Sequence, residues 1–125
     1  MPETALERVK SVLIVDQSED NREVLRTALG KRGMQILEAA EAGQGLELAR
    51  QCHPELIILD MENESTTDAQ IHDEFDAESR RQNSSLLILG KLARATNSSQ
   101  HRVVSKPYHY GPLIRTIEQM VAESN

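Results

Sequence analysis

The chain has 125 residues, a formal net charge of −6 and a single cysteine. This length predicts one domain with one core over residues 1–125. The acidic excess argues against nucleic-acid binding, which needs clustered Lys and Arg. No apolar run reaches the roughly 18 residues of a membrane span, and the start lacks the regions of a signal peptide, so we expect a cytoplasmic protein with no membrane contact.

Short apolar runs alternate with helical patterns along the whole chain. The first run, residues 11–16, ends in Asp16 and reads as a strand buried on both faces. Ser18 can cap the next helix, whose apolar residues recur until Gly33. By the same criteria the later strands are predicted at 34–39, 56–60, 86–89 and 103–105. The later helices are predicted from Gly43 to near Pro54, from Thr67 or Asp68 onward, for one or two turns at 92–95, and around an apolar face from 113 to 121.

The helix predicted after residue 66 carries few apolar residues among many charges, which indicates a largely exposed helix. We interpret its acids as a solvated face rather than a cation site. These acids are Asp68, Asp73, Glu74, Asp76 and Glu78.

Five strands alternating with helices predict an α/β fold with a doubly wound parallel sheet. For this length, the flavodoxin-like (βα)5 arrangement with strand order 2-1-3-4-5 is the simplest. That order makes the first and third strands neighbours, so Asp16 and Asp60 would end about 4.8 Å apart. Two carboxylates this close repel each other, so one is protonated or a cation lies between them.

Lys106 follows the fifth predicted strand, on the order of 10 Å from Asp60 by strand spacing. An acid pair and a lysine at one sheet edge suit a carboxylate nucleophile that accepts a phosphoryl group. Mg2+ and the ammonium would neutralise the transferred charge. Asp60 would be the acceptor.

At this point the chain resembles the receiver domains of bacterial two-component response regulators, over essentially its whole length. Three pieces carry the resemblance: residues 12–16 followed by Asn21 and Arg22, residues 54–60, and residues 106–108. It implies phosphotransfer to Asp60 from a histidine kinase or a phosphotransfer protein. It also implies a role for Lys106 in contacting the phosphoryl group and a cis bond between Lys106 and Pro107.

The resemblance further implies a Mg2+ ion held by the acids Asp16 and Asp60, and we add the backbone of Glu62 as a weaker candidate ligand. The family's second acid after the first strand is replaced by Gln17, whose amide oxygen can ligate Mg2+ without adding negative charge. Metal affinity should therefore be weakened.

Other positions depart from the family in ways that affect the phosphoryl group and the output. The hydroxyl residue that ends the fourth strand is replaced by Gly90, and the small residue after it by Lys91. The aromatic switch residue aligns with Val103, which is too small to swing between two packing states. Only sixteen positions separate Gly90 from Lys106, so we expect the fourth helix of the family to be short or missing.

Three hypotheses remain open at this point. The chain is a receiver that accepts phosphate at Asp60, or a pseudo-receiver interaction module that no longer depends on phosphorylation, or an unrelated small α/β enzyme using the same acids. The third lacks any nucleophile elbow, Walker loop or dinucleotide glycine pattern, so we expect a non-enzyme. The family adds an effector protein or domain and a weak homodimer as expected partners.

Overall fold

The computed structural model describes residues 9–61, 66–90 and 100–124, with the backbone alone for 66–68. Over these ranges the chain forms five strands and four helices. They are β1 (Ser11–Val15), α1 (Glu19–Gly30), β2 (Gln35–Ala39), α2 (Ala42–Cys52), β3 (Leu56–Asp60), α3 (Thr66–Gln82), β4 (Ser85–Leu89), β5 (His101–Val104) and α4 (Tyr110–Glu123). None of the helices in these ranges is both long and apolar enough to cross a membrane.

All strand pairs are parallel, and the sheet order is β2-β1-β3-β4-β5. The flavodoxin-like prediction is therefore confirmed. The expected short fourth helix of the family lies outside the described residues, because 91–99 fall in a gap between the described ranges.

Two apolar cores cover the two faces of the sheet, as side-chain alternation along each strand requires. Val12 and Ile14 of β1 belong to the core under α1 and α4. Leu13 and Val15 belong to the core on the opposite face, which includes Phe75 of α3. The three central strands, β1, β3 and β4, are buried on both faces, so they read in sequence as apolar runs, whereas the edge strands β2 and β5 are only partly buried.

The prediction that α3 is largely exposed is wrong. Phe75, Glu78 and Ser79 are buried, whereas Ala77 is exposed. Glu78 is not part of a solvated face: it accepts hydrogen bonds from Arg81 and Gln82. The Arg50 guanidinium of α2 lies 3.5 Å from the same carboxylate, so neighbouring cations compensate for its burial.

Several predicted boundaries also move, among them those of α3 and β5. The helix α3 begins at Thr66, so Thr67 and Asp68 lie inside it rather than capping it. Strand β5 begins at His101, two residues before the predicted start, because it pairs with the full apolar length of β4 and the Leu86 amide donates to the Gln100 carbonyl at 2.8 Å.

Candidate functional site

The carboxyl ends of β1 and β3 bring Asp16 and Asp60 together. Val15 pairs with Leu59 across the two strands, and each acid is the next residue along. Asp16 is 3% exposed and the Asp60 side chain 4%. Two carboxylates on neighbouring strand ends, both withdrawn from water, are costly unless cations or hydrogen-bond donors stabilise them.

Lys106 supplies one such cation. Its ammonium forms an ion pair with Oδ1 of Asp60. The lysine side chain is 30% exposed, so it bridges between the buried acid and the protein surface. The peptide bond from Lys106 to Pro107 is cis, as the resemblance implied. The Lys106 ammonium therefore contacts the Asp60 carboxylate across the sheet edge, as the sequence predicted.

Asp16 is stabilised by hydrogen bonds from the start of α1. Its Oδ1 accepts from the Ser18 amide at 2.8 Å, and its Oδ2 accepts from Nδ2 of Asn21 at 3.4 Å. Arg22 donates from Nη1 to the Asp16 carbonyl at 2.6 Å. Ser18 also caps α1, as predicted, by accepting from the Asn21 amide. The start of α1 thus fixes both the backbone and the carboxylate of Asp16.

Tyr108 and Tyr110, in the chain that follows Lys106, line a second cavity together with Asn21 and Lys106. Their rings meet edge to face with centroids 5.7 Å apart. Burial, with smaller effects of Tyr110 and of the two carboxylates of Asp16 and Asp60, raises the pKa of Tyr108 to about 12. Burial also raises the pKa of Tyr110, whose hydroxyl donates to Oδ1 of Asn21. Both phenols therefore stay neutral at physiological pH.

A cleft of about 360 Å3 opens beside the acid pair, between the sheet edge and the start of α2. Gln17 is exposed and lines the cleft with Asp16 and Asp60. This set of two carboxylates and an amide oxygen has the hard oxygen donors that suit Mg2+. In the described ranges no three acidic, histidine or cysteine side chains are arranged to hold a metal. Glu62 lies outside those ranges.

Gly90 directly follows β4 and has a conformation that only glycine adopts readily, with φ of 139°. A Cβ atom at this position would lie 2.0 Å from the carbonyl oxygen of Met61. The position therefore has no room for the hydroxyl side chain that the family carries there. Lys91 lies outside the described residues.

Val103 is partly buried on β5, opposite Ile88, against the core that includes Phe75. Asp16, Asp60 and Lys106 lie together at the carboxyl edge of the sheet, as the sequence predicted, but the sequence analysis assigned no role to Asn21 or Tyr110. Their contact joins residues 89 positions apart, and no spacing pattern signals it.

The doubly wound sheet with an acid pair and a lysine at its carboxyl edge defines a receiver-type fold. Residues 12–118 match the family model of the response regulator receiver domain. The chain therefore belongs to the response regulator receiver domain family and is a receiver domain of two-component signalling.

Individual relatives agree with this assignment. The chain is 24% identical to the polar-differentiation response regulator DivK of Brucella abortus over 125 residues, covering 92% of this chain and 98% of DivK. It is 40% identical to the protein PilH of Pseudomonas aeruginosa over 50 residues, which are 40% of this chain and 41% of PilH. The chemotaxis response regulator CheY4 of Vibrio cholerae has a similar fold, with a TM-score of 0.72 and 20% identity over 90% of this chain and 99% of CheY4.

Proposed function

We propose that Asp60 accepts a phosphoryl group from the phosphohistidine of a histidine kinase or a phosphotransfer protein. The observation that carries this proposal is the ion pair between the Lys106 ammonium and the buried Asp60 carboxylate. A second carboxylate, Asp16, lies at the neighbouring strand end. In this proposal the chain is a cytoplasmic signalling module rather than an enzyme, and an effector protein or domain, or a second copy in a weak homodimer, senses its state.

The transfer is a substitution at phosphorus. A carboxylate oxygen of Asp60 forms the new P–O bond while the P–N bond to the donor imidazole breaks. The electron pair stays on the departing nitrogen, which takes up a proton from solvent, and Asp60 becomes a mixed carboxylic–phosphoric anhydride. Lys106 already contacts the acceptor carboxylate, so its ammonium needs only a small movement to meet the transferred oxygens and offset their charge.

We also propose that Asp16, Asp60, the Gln17 amide and the Glu62 backbone would hold a Mg2+ ion. When bound, this ion would neutralise charge on the phosphoryl oxygens. Gln17 contributes no negative charge, so the site should bind Mg2+ more weakly than a site with a third carboxylate. The Ser18 and Asn21 hydrogen bonds keep the Asp16 carboxylate oriented at this edge of the sheet.

The test is phosphorylation of the purified chain by acetyl phosphate with Mg2+, followed by intact mass measurement. We expect the mass of one phosphoryl group to be added. Asp60→Asn should abolish the addition, and Lys106→Met should slow it by about 100-fold. Asp73→Asn is the matched control, since it removes an acid whose side chain is 65% exposed on α3. An unchanged mass with both acetyl phosphate and a phosphohistidine donor would reject the proposal.

A second candidate function is a pseudo-receiver module that binds its partner without phosphorylation. Gly90 favours it, because the position that supplies a hydroxyl in the family has neither a hydroxyl nor space for one. In that case Asp60→Asn and the wild-type chain should bind the partner equally, with or without acetyl phosphate. A change in partner affinity that depends on phosphate and on Asp60 would exclude this candidate.

A further inference from the structure

A chain of hydrogen bonds leads from Asp16, which lines the cleft beside the acid pair, to the start of α4. Tyr110, the first residue of α4, donates its hydroxyl proton to Oδ1 of Asn21. Asn21, in α1, donates from Nδ2 to Oδ2 of Asp16 at 3.4 Å. The cleft at Asp16 is thereby connected to a helix that begins 94 positions after this residue in the chain.

The chemistry of these groups fixes the direction of the chain. A carboxylate only accepts hydrogen bonds, so the NH2 group of Asn21 must face Asp16. The amide oxygen of Asn21 then faces Tyr110, and the phenol must donate. The reverse orientation of the amide would place its oxygen against a carboxylate oxygen, which is repulsive.

Asn21 also contributes through its backbone. Its amide donates to Oγ of Ser18 at 3.2 Å, while the Ser18 amide donates to Oδ1 of Asp16. Both oxygens of Asp16 therefore accept from one turn of chain at the start of α1. Each oxygen has a further lone pair, so these hydrogen bonds orient the carboxylate without excluding a cation.

We propose that Asn21 and Tyr110 are positioning residues for Asp16: Asn21 orients its carboxylate for cation binding, and Tyr110 holds Asn21 in place from the start of α4. The cation-binding part rests on the function proposed above. Partners of this kind, which orient a metal ligand without touching the metal, typically contribute 10- to 100-fold to affinity. The same hydrogen bonds link the cleft at Asp16 to α4. Val103 on β5, at the position of the family's aromatic switch residue, is too small to provide such a link.

The first test is Mg2+ affinity by isothermal titration calorimetry. Asn21→Ala should weaken binding by about 10-fold, and Tyr110→Phe should weaken it by a smaller factor. Tyr108→Phe is the matched control. Tyr108 lines the same cavity as Tyr110, and its hydroxyl has no hydrogen-bond partner among the described residues. Urea unfolding of each variant separates positioning from stability, since a merely structural role would lower stability and leave the Mg2+ affinity unmoved.

The second test observes the side-chain amide of Asn21 by NMR in the metal-free protein. Tyr110→Phe and Asp16→Asn should each shift this resonance, whereas Tyr108→Phe should shift it much less. Suppose that the wild-type chain binds Mg2+, and that Tyr110→Phe and Asn21→Ala bind it with the same affinity as Tyr108→Phe. The positioning role is then overturned while the proposed function stands. If the wild-type chain binds no Mg2+, the cation site fails, and an amide shift would then support only the hydrogen-bonded connection. Without that shift the connection is overturned as well.

Discussion

Replacing Gly90 with a residue that has a side chain should destabilise the domain strongly. A Cβ atom at this position would lie 2.0 Å from the Met61 carbonyl oxygen and 3.1 Å from its carbonyl carbon. The neighbours are backbone atoms, so no side-chain rotation relieves the contact. The Met61 amide also bonds to the Leu89 carbonyl at 2.8 Å, so a displacement of Met61 strains the link between β3 and β4.

Two terms set the size of the effect. A non-glycine residue at φ of 139° costs about 1 to 3 kcal/mol. Forcing the Met61 backbone aside adds a strain comparable to core overpacking, about 1 to 3 kcal/mol. The expected loss for Gly90→Ala is therefore about 2 to 6 kcal/mol, a large part of the roughly 5 to 15 kcal/mol that stabilises a typical domain.

The assay is urea unfolding of the wild type, Gly90→Ala and Gly90→Ser, with Gly43→Ala as the control. Gly43 lies in α2, where an added Cβ meets nothing within 4 Å, so its replacement should be neutral or stabilise by up to about 1 kcal/mol. Gly90→Ser should be as destabilised as Gly90→Ala, despite restoring the hydroxyl of the family. A Gly90→Ala protein that unfolds at the wild-type midpoint would refute this reasoning.

Two predictions concern pH. The hydrogen bond from Arg81, aided by Gln82 and Arg50 and opposed by burial, lowers the pKa of Glu78 from its ordinary 4.5. The charged Glu78 therefore stabilises the folded state fully above pH 4.5, and this contribution is lost as the pH falls through the lowered pKa. Glu78→Gln should flatten unfolding free energy measured against pH in that acidic range, and an unchanged slope would count against the buried ion pair. Burial, reinforced by Arg80 and His72 and opposed by Asp76, lowers the pKa of His101 from 6.5. Below pH 6.5 the folded state therefore binds fewer protons than the unfolded chain, and the free energy of unfolding falls as the pH drops. His101→Gln should reduce that loss in urea titrations between about pH 5 and 7, and a variant with the wild-type pH dependence would contradict the assignment.

The sheet could be predicted because its three central strands are buried on both faces. A run such as Leu56–Leu59 has no polar face to obscure it, and the closing Asp60 marks the carboxyl edge. Parallel connectivity then allows few topologies, so the sequence alone could predict that Asp16 and Lys106 lie near Asp60. The charges of α3 gave the opposite result. Glu78 looks exposed in sequence, but it is buried, and Arg81 and Gln82 of the same helix together with Arg50 of α2 compensate for that burial.

Gly90 shows most clearly what a sequence comparison cannot supply. Comparison with the family treats this glycine as a missing hydroxyl, that is, as a loss of chemistry at the phosphoryl site. The structure instead shows the backbone of Met61, one residue beyond the proposed acceptor, occupying the space where a side chain would begin. The missing hydroxyl and the path of the chain leaving β3 are therefore one structural feature. Any stabilisation of a phosphoryl group on Asp60 must then come from charges such as Lys106 and from groups other than a side chain at position 90.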